Sequence, residues 1–172
     1  PNQNIYIADS GNNRIVVLDR NFEVDRVITE FQNGDLVDKF ATPTGLFVTD
    51  AEELYVADYD NRRIVILDGA GELIRIIHNP TDQELIPADF RFRPLKLVVD
   101  KVGRIYVIAE GVLEGLMEFD ENGIFSGYIG APRVNPNPWQ YFWRKVMTDA
   151  QKERSIIFVP TEYSNADIDD KG

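Results

Sequence analysis

The sequence predicts an all-β chain of four-stranded antiparallel sheets, stacked face to face as the blades of a propeller. Three observations carry that prediction. The stretch "IYIADSGNNRIVVLD" at residues 5–19 returns at 54–68 as "LYVADYDNRRIVILD", identical at nine of fifteen positions after a shift of 49 residues. A third copy, "IYVIAEGVLEGLMEFD", occupies 105–120 with a loop one residue longer. The strand-like segments within the copies are apolar on both faces, whereas a sheet with one wet face alternates apolar and polar residues.

Each period of about 50 residues divides into four strands. The first is "PTGLFVTD" from Pro43 and "PLKLVVD" from Pro94; the second and third are the halves of the repeated stretch. The fourth is a tail, "EVDRVI", "ELIRII" or "IFSGYI", whose polar residues (Glu23, Asp25, Arg26, Arg75) suit an outer strand. Short turns join the strands. The motifs "DGAG" at 68–71, "DKVG" at 100–103, "DENG" at 120–123 and "DDKG" at 169–172 place Asp first and Gly fourth. That is a type I turn preference, with Asp bonding the following backbone and Gly accepting the exit geometry. Asp19 and Asp50 are expected to begin equivalent turns without the Gly. The blades then fall at 5–31 (strands two to four of the first), 43–78 and 94–130, followed by an insert at 131–156 and the first strand of a fourth blade at 157–172. A two-sheet sandwich also has short, evenly spaced strands, but it requires a polar face that these central strands lack.

At 172 residues the chain is long enough for a sizeable core. Its 18 Lys and Arg against 29 Asp and Glu leave a net charge of −11. Nucleic-acid binding rests on basic clusters that displace counterions, so no nucleic-acid partner is expected. Anionic membrane surfaces are disfavoured by the same charge, and no apolar run is long enough to insert in a bilayer. Cysteine is absent, which removes disulfides and thiolate metal sites. Residue 1 is Pro, and the span reads as a piece of a longer or processed product. Three blade equivalents fall short of the four or more that close a ring. Either further blades lie outside the span, or two copies pair as a homodimer, residues 161–169 of each completing the first blade of the other to give six.

The residues "YIADSGNNRIVVLD", with Ala-Asp, Asn-Asn-Arg-Ile and the closing Leu-Asp, resemble the NHL repeat, a propeller-blade motif. The resemblance covers residues 1 to about 130 and is specific in the first two copies. In the third, Gly115 stands where Arg14 and Arg63 stand in the others. As a whole the chain looks like bacterial NHL proteins with an aromatic insert. That resemblance implies a six-bladed parent and an extracytoplasmic location, secreted or membrane-tethered.

Up-and-down connectivity puts the Asp-first turns on one rim. The loops at 9–13 and 58–62 share the other with the long crossings 30–43, 78–94 and 130–160, and irregular connections on a rigid scaffold are where binding residues gather. Asp9, Asn12 and Arg14 recur there as Asp58, Asn61 and Arg63. Repetition once per blade favours scaffolding over a ligand site, with Asp bonding within its loop and Arg reaching a neighbouring strand or blade. Glu110 is expected to replace the Asp in the third copy while the Arg is lost, an asymmetry that points to a site.

The insert is the most individual feature. Asn137 and Pro138 read as the cap and first position of a helix, within an expected helical span of 137–154. Trp139, Phe142, Trp143 and Val146 follow at i, i+3, i+4 and i+7, one apolar stripe. Thr148 and Gln151 have capping-box spacing for a second short helix. Three aromatics at about 150–250 Å² each need cover: the propeller's own rim, or a partner. Trp139, Tyr141, Phe142, Trp143, Arg144, Arg133 and Glu110 are the candidate partner-binding residues.

No nucleophile elbow, P-loop or zinc-protease motif is present, so no catalytic residue is assigned. Amidating lyases share the NHL-type propeller but hold zinc through several histidines, and here there is one, His78. Lactonase-type propellers hold calcium through oxygen ligands. Asp58, Asp60, Asn61, Asp167 and Asp169 could contribute, although Asp-rich turns are ordinary turns; no metal site is assigned and no cofactor is expected, with calcium the one ion left open. The leading expectation is a non-enzymatic binding module that presents its loop-rich rim to a protein or extracellular ligand. The alternative is a propeller enzyme, a lyase or calcium-dependent lactonase, with its site in the central channel.

Overall fold

A computed structural model describes residues 4–81, 85–87, 89–112 and 115–130. Every regular element among them is a β-strand, apart from one 3-10 turn at Ser10–Asn12. Strands β1 (Ile5–Asp9), β2 (Arg14–Leu18) and β3 (Val24–Ile28) form a three-stranded antiparallel sheet. A two-stranded hairpin follows, β4 (Glu30–Asn33) with β5 (Leu36–Lys39). Two four-stranded antiparallel sheets come next: β6 (Pro43–Val48), β7 (Leu54–Asp58), β8 (Arg63–Leu67) and β9 (Leu73–Ile77), then β10 (Pro94–Val99), β11 (Ile105–Ala109), β12 (Leu116–Phe119) and β13 (Phe125–Ile129). Each is ordered in space as in sequence, the meander of a propeller blade. The helical insert expected at 137–154, and the strand expected at 157–172, lie outside the described residues.

Burial shows why the central strands carry no polar face. All five residues of β7 and all five of β8 are buried. Leu54, Val56, Val65 and Leu67 face the first sheet, where they meet Ile15, Val17 and Ile28. Tyr55, Ala57, Ile64 and Ile66 face the third, where they meet Val107, Met117 and Phe119. Period-two alternation thus splits one apolar run between two cores, and each large aliphatic contributes about 1.5–3 kcal/mol by leaving water. The far flank of the first sheet carries Ile5 and Ile7, 38% and 42% exposed.

The turns follow the expected chemistry, with one correction. Asp19, Asp68, Asp100 and Asp120 each accept backbone N–H bonds through Oδ1 from residues two and four positions on, at 2.7–3.0 Å. Gly71, Gly103 and Gly123 have φ of +94°, +88° and +79°, the left-handed exit for which glycine is suited. Phe22 and Glu52 hold the same position at +64° without being glycine. The correction concerns Asp50. In the second sheet the turn opens on Thr49, whose Oγ1 accepts the Glu53 N–H at 3.1 Å and whose carbonyl accepts the Glu52 N–H. A Thr hydroxyl forms the same local bond as Asp, more weakly, so the turn opens one residue before Asp50.

The crossing at 30–43 is also more regular than expected. Gly34, at φ +63°, opens a two-residue connection between Asn33 and Leu36, the tightest hairpin geometry. β3 ends at Ile28, and Glu30 and Phe31 belong to this hairpin.

Neighbouring sheets touch through their first strands. Thr44 Oγ1 donates to the Pro94 carbonyl at 3.0 Å, and Lys96 Nζ donates to the Thr44 carbonyl at 3.0 Å. Gly45 makes the approach feasible: a Cβ there would lie 2.6 Å from the Leu95 carbonyl oxygen and 2.9 Å from the Lys96 Cα. Both are backbone atoms that cannot swing aside. Gly45→Ala should therefore destabilise the fold by about 1–3 kcal/mol, the usual cost of overpacking. Gly11→Ala, with open space around its Cβ, should be close to neutral, and urea unfolding of the two variants checks the difference.

Candidate functional site

The rim that carries the β1–β2 and β7–β8 loops is built from side chains answering to one another. In the first sheet Asn12 Nδ2 donates to both Asp9 oxygens at 3.0 Å, and Arg14 Nε donates to Asp9 Oδ2 at 2.7 Å. These bonds, Asn12 first and Arg14 second, hold the Asp9 carboxyl below its usual pKa. The next residue reaches onward: Asn13, left-handed at φ +53°, accepts the Thr42 N–H through Oδ1 at 2.7 Å. Ser10 Oγ donates to the Pro43 carbonyl. The first loop is thereby tied to the start of the second sheet.

In the second sheet the same triad is deeper and more fully bonded. Asp58 is wholly buried. Its Oδ2 accepts Asn61 Nδ2 at 2.9 Å and Arg63 Nε at 2.8 Å, and its Oδ1 accepts the Ala41 N–H at 2.7 Å. Arg63 then clasps Asp38 of β5 with both terminal nitrogens, at 2.7 and 2.9 Å, and bonds the Lys39 carbonyl at 3.0 Å. Bidentate Arg–carboxylate pairing of this kind is among the stronger polar contacts a protein makes. Arg63 also lies over the Phe31 ring, 5.7 Å from its centroid. The Arg63 hydrogen bonds pull the Asp38 carboxyl down to about 2. The hairpin is thus pinned to the second sheet by a chain of ion pairs running from buried Asp58 through Arg63 to the partly exposed Asp38.

The third copy differs from expectation. Strand register aligns Asp58, opposite Pro43, with Ala109, opposite Pro94. Glu110 therefore stands one place further on, at the position of Tyr59, and does not replace the Asp. Its carboxylate accepts the Tyr59 hydroxyl of the preceding sheet and Arg93 Nη1, the latter at 3.1 Å. Arg93 stacks on the Tyr59 ring at 5.1 Å and bonds its hydroxyl at 3.2 Å. Tyr59 first, then Arg93, lowers the Glu110 pKa, and Glu110 raises that of Tyr59. Tyr59, Arg93 and Glu110 form a half-exposed polar cluster bridging the second and third sheets.

Two further links escaped sequence reading. Arg75 of β9 donates from Nη2 to the Glu121 carbonyl at 2.9 Å, tying the outer strand of one sheet to a turn of the next. Arg26, at the matching place in β3, lies close enough to the Asp68 turn to lower that carboxyl, after its backbone bonds. Tyr59 and Arg93 carried no repeat signal because each occurs once. Asp38 was findable, since the alternating "EFQNGDLVDK" around Asn-Gly is a hairpin signature.

Trp139, Tyr141, Phe142, Trp143, Arg144 and Arg133 lie outside the described residues, as do Asp167 and Asp169. Both Asp58 oxygens are taken by protein donors, and Asp60 Oδ2 accepts the Thr42 hydroxyl at 2.6 Å. Among the described residues no group of three or more His, Cys, Asp or Glu is placed to hold a metal ion. His78 is exposed beside a cleft of about 460 Å³ between the second and third sheets, lined also by Ile77, Phe119 and Gly123. Among the described residues no helix is long and apolar enough to cross a membrane.

No protein-family profile matches the chain, and no curated protein matches it. Solved structures do. Kuenenia stuttgartiensis hydrazine synthase matches at a TM-score of 0.55 and 14% identity, over 75% of this chain and 33% of that one. A Bacteroides caccae protein of unknown function matches at 0.53 and 15%, over 72% and 44%. A catalytically inactive virginiamycin B lyase from Staphylococcus aureus, solved with quinupristin, matches at 0.52 and 13%, over 72% and 36%. The synthase and the lyase are β-propeller proteins. The fold is a β-propeller. The chain spans between a third and a half of the length of these structures, and at such identities the likeness is one of fold alone.

Burial separates the two repeated ion pairs. Side-chain exposure is 10% for Arg63 and 0% for Asp58, against 41% for Arg14 and 26% for Asp9. Arg63→Met should cost about 3–5 kcal/mol, because it strands a buried carboxylate. Arg14→Met should cost within about 1 kcal/mol, as exposed pairs do. Urea unfolding of the two variants checks the difference.

Acid titration provides a second check. The Asp38 carboxyl lies at about 2 when folded, below its ordinary 3.8, so its contribution is present above about pH 4 and is lost as pH falls through about 2. With Asp38 partly exposed, that contribution is about 1–2 kcal/mol after screening. Urea midpoints from pH 6 down to pH 2 should fall less steeply in Asp38→Asn than in wild type.

Proposed function

We propose that this chain belongs to a non-enzymatic recognition propeller of the NHL type, which presents its loop-rich rim to a protein or extracellular ligand outside the cytoplasm. The observation that supports this most is the state of the rim's charged groups. Asp58, Arg63, Asp38, Glu110 and Arg93 are spent on one another, which makes a stiff platform with its polar groups already oriented. Such a surface binds with little loss of conformational entropy, the advantage of preorganisation.

On this reading the half-exposed cluster of Tyr59, Arg93 and Glu110 supplies the polar contacts. Arg133, Tyr141 and Arg144 extend them, and Trp139, Phe142 and Trp143 supply the apolar anchors. Aromatic residues and Arg are the types that dominate interface energetics.

The test uses the complete protein and partners captured by cross-linking at the cell surface. The Trp139→Ala, Trp143→Ala double variant and Arg93→Ala should each lose the wild-type set of partners by about tenfold or more, the effect of one interface hot spot, at an unchanged melting temperature. Undiminished capture by both would sink the reading. Metal analysis of the same preparation separates it from a propeller enzyme, which predicts a stoichiometric ion.

A further inference from the structure

We propose that Asn33 is a site of spontaneous covalent modification, converted to aspartate or isoaspartate through attack on its side chain by the Gly34 backbone, and that the product loosens the hairpin from the second sheet. The chain holds two dipeptides of the same chemistry. Asn is followed by Gly at 33–34 and again at 122–123. Gly hinders approach of its own nitrogen to the preceding side chain less than any other residue, having no Cβ.

The structure treats the two dipeptides differently. Gly123 N–H is occupied, donating to the Asp120 carbonyl at 2.9 Å. Asn122 N and Ile124 N both donate to Asp120 Oδ1, at 2.9 and 2.7 Å. Bringing the Gly123 nitrogen to the Asn122 side chain means dismantling that turn. Gly34 N–H, by contrast, makes no hydrogen bond among those of the described residues, and nothing lies within 4 Å of where its Cβ would be. Asn33 is exposed at the end of β4, held there by its pairing with Leu36 and by one side-chain bond to Asp38.

The steps balance without an oxidant or reductant. The Gly34 amide gives its proton to solvent base and its nitrogen bonds to Asn33 Cγ. The bond from Cγ to Nδ2 breaks, and ammonia leaves with a proton from water. Water then opens the cyclic imide at either carbonyl. One opening yields aspartate; the other yields isoaspartate, with an extra methylene in the backbone.

Where the new carboxylate falls is what gives the change its effect. Asn33 Nδ2 now donates to Asp38 Oδ2 at 3.1 Å, on the carboxylate that Arg63 grips with both terminal nitrogens. Conversion replaces that donor with a second negative charge, and like charges at this distance oppose one another. Isoaspartate also breaks the register of Asn33 with Leu36. The clamp on the hairpin weakens at the rim end.

Incubating the purified full chain at mildly alkaline pH, followed by tryptic mapping, tests both parts. The peptide 27–39 should gain the mass of O exchanged for NH at least about tenfold faster than the peptide 105–133, given the several hydrogen bonds that guard Asn122. In urea the two rates should converge, and Asn33→Gln should abolish the change in 27–39. Equal rates in the folded chain would overturn the proposal, as would an unchanged Asn33 after the urea sample has converted. Asn33→Asp, made directly, should lower hydrogen-exchange protection of β4 and β5 several-fold while β7 and β8 stay protected. Undiminished protection of the hairpin would overturn the second half.

Discussion

The constraint on which the structure depends is that β7 and β8 are apolar on both faces and must be covered on both. An antiparallel sheet needs only one dry face to be stable, and these strands have two. The sheet therefore cannot exist alone. Ile64 and Ile66 require the third sheet as strictly as Val65 and Leu67 require the first. Stacking is the means by which each sheet is stabilised, in the manner of repeat proteins whose units contribute little in isolation. The direct contact of β6 with β10 over Gly45 follows from this, since flanks can close fully only if the inner strands converge.

Stacking fixes the polar rim in turn. Sheets that press together bring the ends of β5, β7 and β8 into a space too small for water around Asp58. A buried carboxylate is tolerable only with a full set of donors, and Asn61, Arg63 and the Ala41 N–H complete that set. The same three residue types in the first sheet, Asp9, Asn12 and Arg14, remain half in water. One motif thus has two energetic roles, decided by whether a hairpin lies over it.

How much of this was legible in the sequence follows the same division. Blade architecture was legible because stacking writes itself into every copy, as in Ile15, Ile64 and the matching apolar runs. The turns were legible wherever Asp and Gly both signal. They were misplaced at Thr49, where a hydroxyl takes over the Asp bond and Glu52 accepts a left-handed backbone without being glycine. The rim was only half legible. Repetition marked Asp58, Asn61 and Arg63 as scaffolding, but Asp38, Tyr59 and Arg93 occur once and leave no periodic trace. Glu110 was misaligned because an Ala followed by an acid looks like the Ala57 and Asp58 pair, while the ladder puts Ala109 at the Asp58 position. Hydrogen-bond register decided what letter similarity could not.

Where a propeller places its individuality follows from these limits. Within the stack a residue on a shared face belongs to the packing of two sheets, so a change there, such as a methyl on Gly45, strains both at once. On the rim the repeated groups are committed in pairs, and moving one strands another. Freedom to differ is left to positions that occur once: the hairpin of β4 and β5, the bridge of Tyr59, Arg93 and Glu110, and the aromatic segment beyond residue 130. Individuality therefore gathers at the positions that the repeat leaves unduplicated, even where, as at Asp38 and Arg93, they also tie neighbouring elements together.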